Sequence, residues 1–360
     1  MEYLIPEAWF HGVSWWWLMI VGGLAVGALV WGADRLVEGA SGMALKLGMP
    51  KVIIGATIVS LGTTSPEAAV SVMAAWGGDA GLALGNAVGS IIADTALIFG
   101  LGCVLTVLPA DRFVLRRQGW CQFGSALLLV GLCYGAWWLT PDAPRLGRPV
   151  GLLLLGLLVV YMYTSVQWAK EHPQGEPFIE PDDMAESTPA GPATDEQATG
   201  RPLWFQLGEA LLGLAIVIVA GHVLICAVQE LAEQWGVPRT VIAATLVAFG
   251  TSLPELVVGM MAIRKGHPEI LVGNVIGADI LNVLFVIGAS AIASPLPIFE
   301  AGTTFPEIFL YIHLPVMLGV MLLFRVWIFM ATRKGHFSRW QGVPLLAIYV
   351  GYVILQYVVG

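Results

Sequence analysis

The sequence has few charged residues. Only 12% of its 360 residues are Asp, Glu, Lys or Arg, whereas a soluble domain carries about 25%. The hydrophobic share is 57%, which excludes a pair of soluble domains. Several apolar stretches reach the roughly 20 residues that cross a bilayer as a helix, and they lack the strict alternation of an outer-membrane barrel. The composition therefore predicts an all-α, polytopic membrane protein.

Cysteine is also scarce, and an excess of positive charge is absent. Each of the four cysteines stands alone in an apolar segment without a neighbouring histidine, which argues against a disulfide framework and against a zinc site. They are Cys103, Cys121, Cys133 and Cys226. The net charge is −8, and residues 169–206 alone hold eight acids against two bases. We therefore expect no basic surface for nucleic acid.

Apolar runs and the residues that interrupt them predict ten membrane spans. The spans are 14–38, 51–76, 81–108, 118–139, 149–168, 207–232, 239–264, 269–292, 304–326 and 342–359. Residues 169–206 combine acids with Pro, Gly, Ser and Thr and cannot bury enough apolar surface to fold, so they are predicted to form a disordered linker. The chain is then divided into a first half at 1–168 and a second half at 207–360, each with five spans.

The loops differ in their content of Lys and Arg. Fourteen of these residues would lie on one side of the membrane, and only Arg145, Arg148 and Arg239 on the other. The richer side normally faces the cytoplasm, so both termini are predicted to be extracytoplasmic and the linker cytoplasmic. The first span lacks the basic start and cleavage site of a signal peptide and is interpreted as a membrane helix.

The two halves share an internal repeat. Sliding the chain against itself aligns 56–100 with 244–288 without a gap and gives 16 identities in 45 positions. The identities include Thr, Gly, Pro, Glu and Asn, which a generic membrane helix has no reason to share. Each half has an odd number of spans, so the second copy enters the membrane in the opposite direction. This is the inverted-repeat plan of secondary transporters.

Each half carries a proline next to a glutamate within an apolar span, in GTTSPE at 62–67 and GTSLPE at 250–255. Proline has no N–H to donate, so the helix is expected to break there and to free backbone carbonyls and hydroxyls. Together with Glu67 and Glu255 these groups would form an all-oxygen cage, which suits Ca²⁺ or Na⁺. The alternative is a protonated packing residue. A charge at mid-membrane costs at least about 2.5–3.5 kcal/mol, which favours a functional role.

The next span in each half adds a stripe of polar residues. Both stripes are expected to face the broken helices. The residues of the stripes are Asn86, Ser90 and Asp94 in the third span and Asn274 and Asn282 in the eighth. Asp279 stands about 100° away from the second stripe and adds a further carboxylate.

The motif pairs GTTSPE with GNAVGSIIAD and GTSLPE with GNVIGADILN resemble the signature repeats of the cation/calcium antiporter superfamily, and they are most similar to those of prokaryotic sodium/calcium exchangers. The spacing from the glutamate to the last polar residue of the stripe is the same in both halves. The resemblance implies an inner-membrane protein whose first and sixth helices slide over the other eight. It also implies ion ligands at Glu67, Glu255, Thr63, Thr251, Thr64, Ser252 and Ser90, and at the backbone carbonyls of Ser60 and Ala248.

The sequence departs from the family pattern at several positions. The aspartate and asparagine at Asp94 and Asn282 are interchanged between the halves, which preserves the number of charges at the centre. Ala278 replaces a serine and would weaken one sodium site. Ile91 and Asp279 each replace an asparagine, and the extra carboxylate of Asp279 offers a place for another cation or a proton.

These residues predict a secondary active antiporter that exchanges Ca²⁺ for Na⁺ by alternating access at a central carboxylate site, with transported ions but no cofactor. Two empty carboxylates repel each other, so the states that cross the membrane are those that hold ions. Ca²⁺/H⁺ exchange is the alternative. An enzyme is disfavoured because the chain lacks an HExxH motif and a convincing Ser/His dyad, and a channel would carry current without coupling. The oligomeric state is left open.

Overall fold

The computed structural model describes residues 9–171, 201–235, 248–298 and 309–359, and these residues are predominantly helical. The helices are α1 Trp15–Leu47, α2 Lys51–Thr63, α3 Ser65–Trp76, α4 Ala80–Leu105, α5 Arg112–Leu139, α6 Arg148–Glu171, α7 Leu203–Gln234, α8 Ala248–Thr251, α9 Leu253–Arg264, α10 Pro268–Ala293, α11 Phe309–Lys334 and α12 Gly342–Val359. The strands are β1 Leu108–Pro109, β2 Arg145–Leu146, β3 Leu296–Pro297 and β4 His336–Phe337.

Seven of the described helices are long and apolar enough to cross a membrane by length and composition. They are α1, α4, α5, α6, α7, α10 and α11. The most apolar window of α10 is 94% buried and that of α4 is 72% buried, against 22% for α6. Helices α4 and α10 therefore form the centre of the bundle, and the apolar surface of α6 faces outward, as expected for contact with lipid.

Two of the predicted spans are interrupted where the sequence places proline next to glutamate. Helix α2 ends at Thr63 and α3 begins at Ser65, while α8 ends at Thr251 and α9 begins at Leu253. Pro66 and Pro254 each occupy the second position of the new helix, where a missing N–H costs least. Each interruption is confined to a single residue, Thr64 in the first half and Ser252 in the second.

Short antiparallel ladders join loops at the two ends of the bundle. In one ladder β1 pairs with β4, with Leu108 opposite Phe337, and in the other β2 pairs with β3, with Leu146 opposite Leu296. Strands β1 and β3 have the same Leu-Pro sequence and occupy equivalent positions of the internal repeat. The two ladders thus connect the first half of the chain to the second at both ends.

Helices α1 and α7 pack against each other through glycine. A Cβ on Gly213 of α7 would collide with the backbone nitrogen of Leu36 and the carbonyl of Gly32 on α1, and one on Gly39 would meet backbone atoms of Ala210. Only glycine allows two backbones to approach this closely. The two helices therefore form a tightly packed pair.

Several helices extend beyond the predicted spans, because small, apolar and charged residues all continue them; Ala40, Met43 and Ala44 of α1, for example, lie in the buried core. Helix α1 ends at Leu47 rather than 38, α5 begins at Arg112 rather than 118, and α11 ends at Lys334 rather than 326. The edges of the predicted linker 169–206 are also helical, since α6 reaches Glu171 and α7 begins at Leu203. Residues 172–200, 236–247 and 299–308 lie outside the described part, and the count of ten spans stays a prediction.

Candidate ion-binding site

The two glutamates of the repeat lie in the first turn of the helices that follow the interruptions. Glu67 is the third residue of α3 and Glu255 the third residue of α9, and each side chain is 1% exposed. Glu67 lies within electrostatic range of Glu255 and of Asp94, which is also buried. The fold therefore brings three carboxylates from α3, α4 and α9 together in the apolar interior.

Many oxygen atoms at this centre have no hydrogen-bond partner among the described residues. Both carboxylate oxygens of Glu67 and Oε2 of Glu255 have no partner among the described residues, while the Thr64 hydroxyl donates to Glu255 Oε1 over 3.4 Å. The remaining unpartnered atoms are Ser90 Oγ, Asp94 Oδ1, Ser252 Oγ and Asn282 Oδ1. A buried polar atom without a partner is costly, and a bound cation removes that cost.

Hydrogen bonds cross between the halves at equivalent positions. Thr63 Oγ1 in the first half donates to Asn274 Oδ1 over 3.2 Å, and Thr251 Oγ1 in the second half donates to Asn86 Oδ1 over 3.2 Å. Asn86 Nδ2 in turn donates to Ser71 Oγ over 3.0 Å. Each threonine beside an interruption is thus held by an asparagine of the opposite half, and the two pairs are related by the internal repeat.

Widened helical turns carry two further site residues. Asp94 is the second residue of a π-helical segment, Ala93–Phe99, within α4, and Asn282 is the first residue of another, Asn282–Ile287, within α10. A π-helical segment inside an α-helix is uncommon and occurs often at functional sites. Asp94 and Asn282 are equivalent residues of the repeat, so the two halves share this feature.

Asp279 is fully buried but has different neighbours. Its Oδ2 accepts hydrogen bonds from Thr95 Oγ1 and from Gln122 Nε2, both over 2.5 Å, while its Oδ1 has no partner among the described residues. Gln122 lies on α5, so this helix also reaches the polar interior. Asp94 lies within electrostatic range of Asp279.

The model of the family described as "Sodium/calcium exchanger protein" matches residues 15–167 and again residues 206–358. This chain belongs to that family. The exchanger is 35% identical to inner membrane protein YrbG of Escherichia coli over 281 residues, which cover 77% of this chain and 79% of YrbG. It is 29% identical to the sodium/calcium exchanger MaX1 of Methanosarcina acetivorans over 346 residues, 91% of this chain and 95% of MaX1. These relatives and its apolar helices make the exchanger a multi-pass membrane protein.

The exchanger also has the fold of a solved relative. A structure of the sodium-calcium exchanger NCX_Mj, soaked with Na⁺ and Sr²⁺, superimposes with a TM-score of 0.74 at 23% sequence identity. The match covers 95% of this chain and 99% of that one. At this identity the likeness shows the fold alone.

Most of the predicted ligands of the exchanger lie at the interruptions or on α4 and α10 facing them. Two need comment. The Ser60 carbonyl already accepts hydrogen bonds from the Thr64 N–H over 2.8 Å and from the Thr63 hydroxyl over 3.4 Å. Ala248 is the first residue of α8, and the structure does not describe its side chain. Ala278 is buried close to the centre.

Sequence reasoning missed three residues that the structure connects to the site. Ser71 supports Asn86, and Thr95 and Gln122 hold the carboxylate of Asp279. Gln122 offered a signal, since a glutamine in an apolar span is expensive unless it has a partner. The partner itself lies far away along the chain and could not be identified from the sequence.

Proposed function

We propose that this exchanger moves Ca²⁺ and Na⁺ in opposite directions across the membrane through one central site between its two halves. The observation that carries this proposal is the meeting of Glu67 and Glu255 in the dry interior, at equivalent interruptions, with carboxylate oxygens that no described residue satisfies. The family membership and the name of the relative MaX1 support the choice of ions.

The ligands of the central ion are mixed oxygens. Ca²⁺ takes six to eight oxygens at about 2.3–2.6 Å, from carboxylates, hydroxyls, amides and backbone carbonyls. Among the described residues no three His, Cys, Asp or Glu side chains cluster tightly enough to hold a metal ion by themselves. The proposed set therefore joins the carboxylates of Glu67, Glu255 and Asp94 to neutral groups. These are Thr63, Thr64, Thr251, Ser252, Ser90, Asn282 and the backbone carbonyls of Ser60 and Ala248.

Exchange follows from the balance of charge. Without an ion the three carboxylates repel one another in surroundings of low polarity, so an empty and ionised site is unfavourable. One Ca²⁺ or several Na⁺ relieve this repulsion, but the shared oxygens cannot hold both at once. Only an occupied site switches its access from one side of the membrane to the other. This requirement couples the transport of the two ions without hydrolysis of ATP.

The division into halves gives the mechanism its symmetry. We propose that residues 1–168 and 207–360 are inverted copies of five spans each, with the acidic segment 169–206 on the cytoplasmic side. The tightly packed pair α1 and α7 begins the two copies and would slide as one body over the remaining helices. Such a movement exposes the same central site first to one side of the membrane and then to the other.

Transport in sealed vesicles tests the proposal. The purified protein is expected to take up radioactive calcium when an outward Na⁺ gradient is imposed at constant pH, and to ignore a pH gradient imposed without Na⁺. Uptake that follows the pH gradient alone would instead support Ca²⁺/H⁺ exchange, the alternative function.

Glu67→Gln and Glu255→Gln test the site. Each variant keeps the size of the side chain but removes a negative charge from the ion, so we expect uptake to fall at least about tenfold. The matched control is Glu171→Gln at the exposed end of α6, which should transport normally. Normal transport by both glutamine variants of the site would reject the assignment.

A further inference from the structure

Asp279 is a buried acid that the proposed transport cycle does not use. It is 1% exposed, and both of its hydrogen-bond donors bind the same oxygen, Oδ2. The other oxygen, Oδ1, is buried and has no partner among the described residues. One oxygen of the carboxylate is therefore fixed in place by Thr95 and Gln122, and the other has no hydrogen-bond donor among the described residues.

No described cationic side chain compensates this acid. The buried charged and polar residues of the described chain include neither Lys nor Arg. Thr95 and Gln122 are neutral, so they orient the carboxylate without balancing its charge. An isolated ionised carboxylate inside a protein is very costly, and it persists only with a bound cation or a proton.

The internal repeat shows that the fold itself does not require these polar groups. The residue equivalent to Asp279 in the first half is Ile91, and the residue equivalent to Thr95 in the second half is Val283. Both are completely buried in apolar packing. The same corner of the bundle is thus dry and apolar on one side of the pseudo-symmetry axis, and carries a fixed, open carboxylate on the other.

We propose that Asp279 Oδ1 forms a second cation site, beside the central one, that takes a monovalent ion of the Na⁺ class. A single carboxylate supplies one negative charge and too few ligands for Ca²⁺. Asp94 lies within electrostatic range and also has an unpartnered oxygen, Oδ1, facing the interior. An ion held by Asp279 would therefore interact electrostatically with the central site. It would add one Na⁺ to each transport cycle.

This inference rests on the proposed function only for its effect on transport, so binding and transport are tested separately. Radioactive sodium bound to the purified protein is counted by a scintillation proximity measurement, which needs no transport. Asp279→Asn is the variant of choice, because its amide oxygen still accepts from Thr95 and Gln122 while an NH₂ group replaces the open oxygen. We expect saturating Na⁺ binding to fall by about one ion per protein.

In vesicles the same variant should lower the Hill coefficient for Na⁺-driven Ca²⁺ uptake by about one. Asp279→Ile introduces the side chain that Ile91 has at the equivalent position of the first half, and it should lose the same ion. This variant replaces Asp279→Asn in the experiment if the asparagine variant folds poorly. Sodium binding equal to that of the unaltered protein in either variant overturns the proposal, and is the result expected if Asp279 carries a permanent proton. If the unaltered protein fails to couple Ca²⁺ to Na⁺, the proposed function is rejected. The number of Na⁺ ions bound per protein then still tests whether Asp279 forms a cation site.

Discussion

At the scale of single residues, the site depends on oxygens that are oriented but not satisfied. The hydroxyls of Thr63 and Thr251 each donate a hydrogen bond to an asparagine of the other half, which leaves their oxygen lone pairs available to a cation. Asn86 is fixed in turn by Ser71. In the proposed site, preorganised neutral oxygens of this kind would complete the coordination of an ion whose charge the glutamates balance.

The crossed hydrogen bonds should be energetically coupled. We expect Thr251→Val and Asn86→Ala each to weaken Ca²⁺ binding, and the double variant to lose less than the sum by about 0.5–3 kcal/mol, because the first change already removes the bond. The Ca²⁺ affinities of the four proteins, measured by titration calorimetry, form a double-mutant cycle. The pair Thr63→Val and Asn86→Ala is the control, since these side chains share no hydrogen bond, and its effects should be closer to additive. Additive losses in the first pair would contradict the role of the bond.

The residues that could be predicted from the sequence are those that the repeat marks twice. Glu67 and Glu255 were identifiable because each follows a proline in an apolar span, at matching positions. The surroundings of Asp279 were not, because the equivalent of its donor Thr95 is the apolar Val283, and because Gln122 comes from a helix distant in sequence. A pattern in the sequence indicates which side chains are polar, whereas the packing of the helices decides which of them meet.

At the scale of helices, the sequence predicted the interruptions but not the widened turns. Proline explains why α2 and α3 are separate, since it removes a hydrogen-bond donor at a fixed position. No proline marks the π-helical segments of α4 and α10, which begin at Ala93 and Asn282. The sequence of a single span does not reveal where such a widened turn occurs.

The close pairing of α1 and α7 gives a prediction at this scale. In Gly213→Ala the new methyl group would collide with backbone atoms of α1, so we expect a loss of about 1–3 kcal/mol in stability and a lower melting temperature in detergent. Gly208→Ala, on the outer surface of the same helix, is the matched control. No described atom lies within 4 Å of its new methyl group, and alanine favours the helix by about 0.5–1 kcal/mol. Equal melting temperatures for the two variants would show that the helices do not pack this closely.

At the scale of the whole molecule, ion pairs collect at one end of the bundle. Lys265, directly after α9, pairs with Asp34 over 2.8 Å and with Glu38 over 3.6 Å on α1, and Arg35 pairs with Glu209 on α7 over 2.8 Å. These residues lie at the end that the distribution of Lys and Arg assigns to the cytoplasm. Arg35 and Lys265, two of the basic residues that predict the orientation, thus also connect α1 to α7 and to α9.

The orientation of the bundle can be tested with two exposed positions at opposite ends of α5. Asp142 follows α5, and Lys334 ends α11 just before β4, which pairs with β1 at the start of α5. The 28 residues of α5 span about 42 Å, more than the roughly 30 Å of a bilayer core, so we expect the two positions to lie on opposite sides of the membrane. Because the side rich in Lys and Arg faces the cytoplasm, we expect Asp142 outside and Lys334 inside.

Cysteines introduced at these positions distinguish the two orientations. The four native cysteines are first replaced by alanine, because Cys121 is only half-buried. In right-side-out vesicles a membrane-impermeant maleimide should label Asp142→Cys at once, and Lys334→Cys only after the membrane is permeabilised. The reverse pattern would invert the topology and place the segment between the halves outside. Labelling of both in sealed vesicles would mean that α5 does not cross the bilayer, and with it the inverted arrangement that brings Glu67 and Glu255 together from opposite directions would be lost.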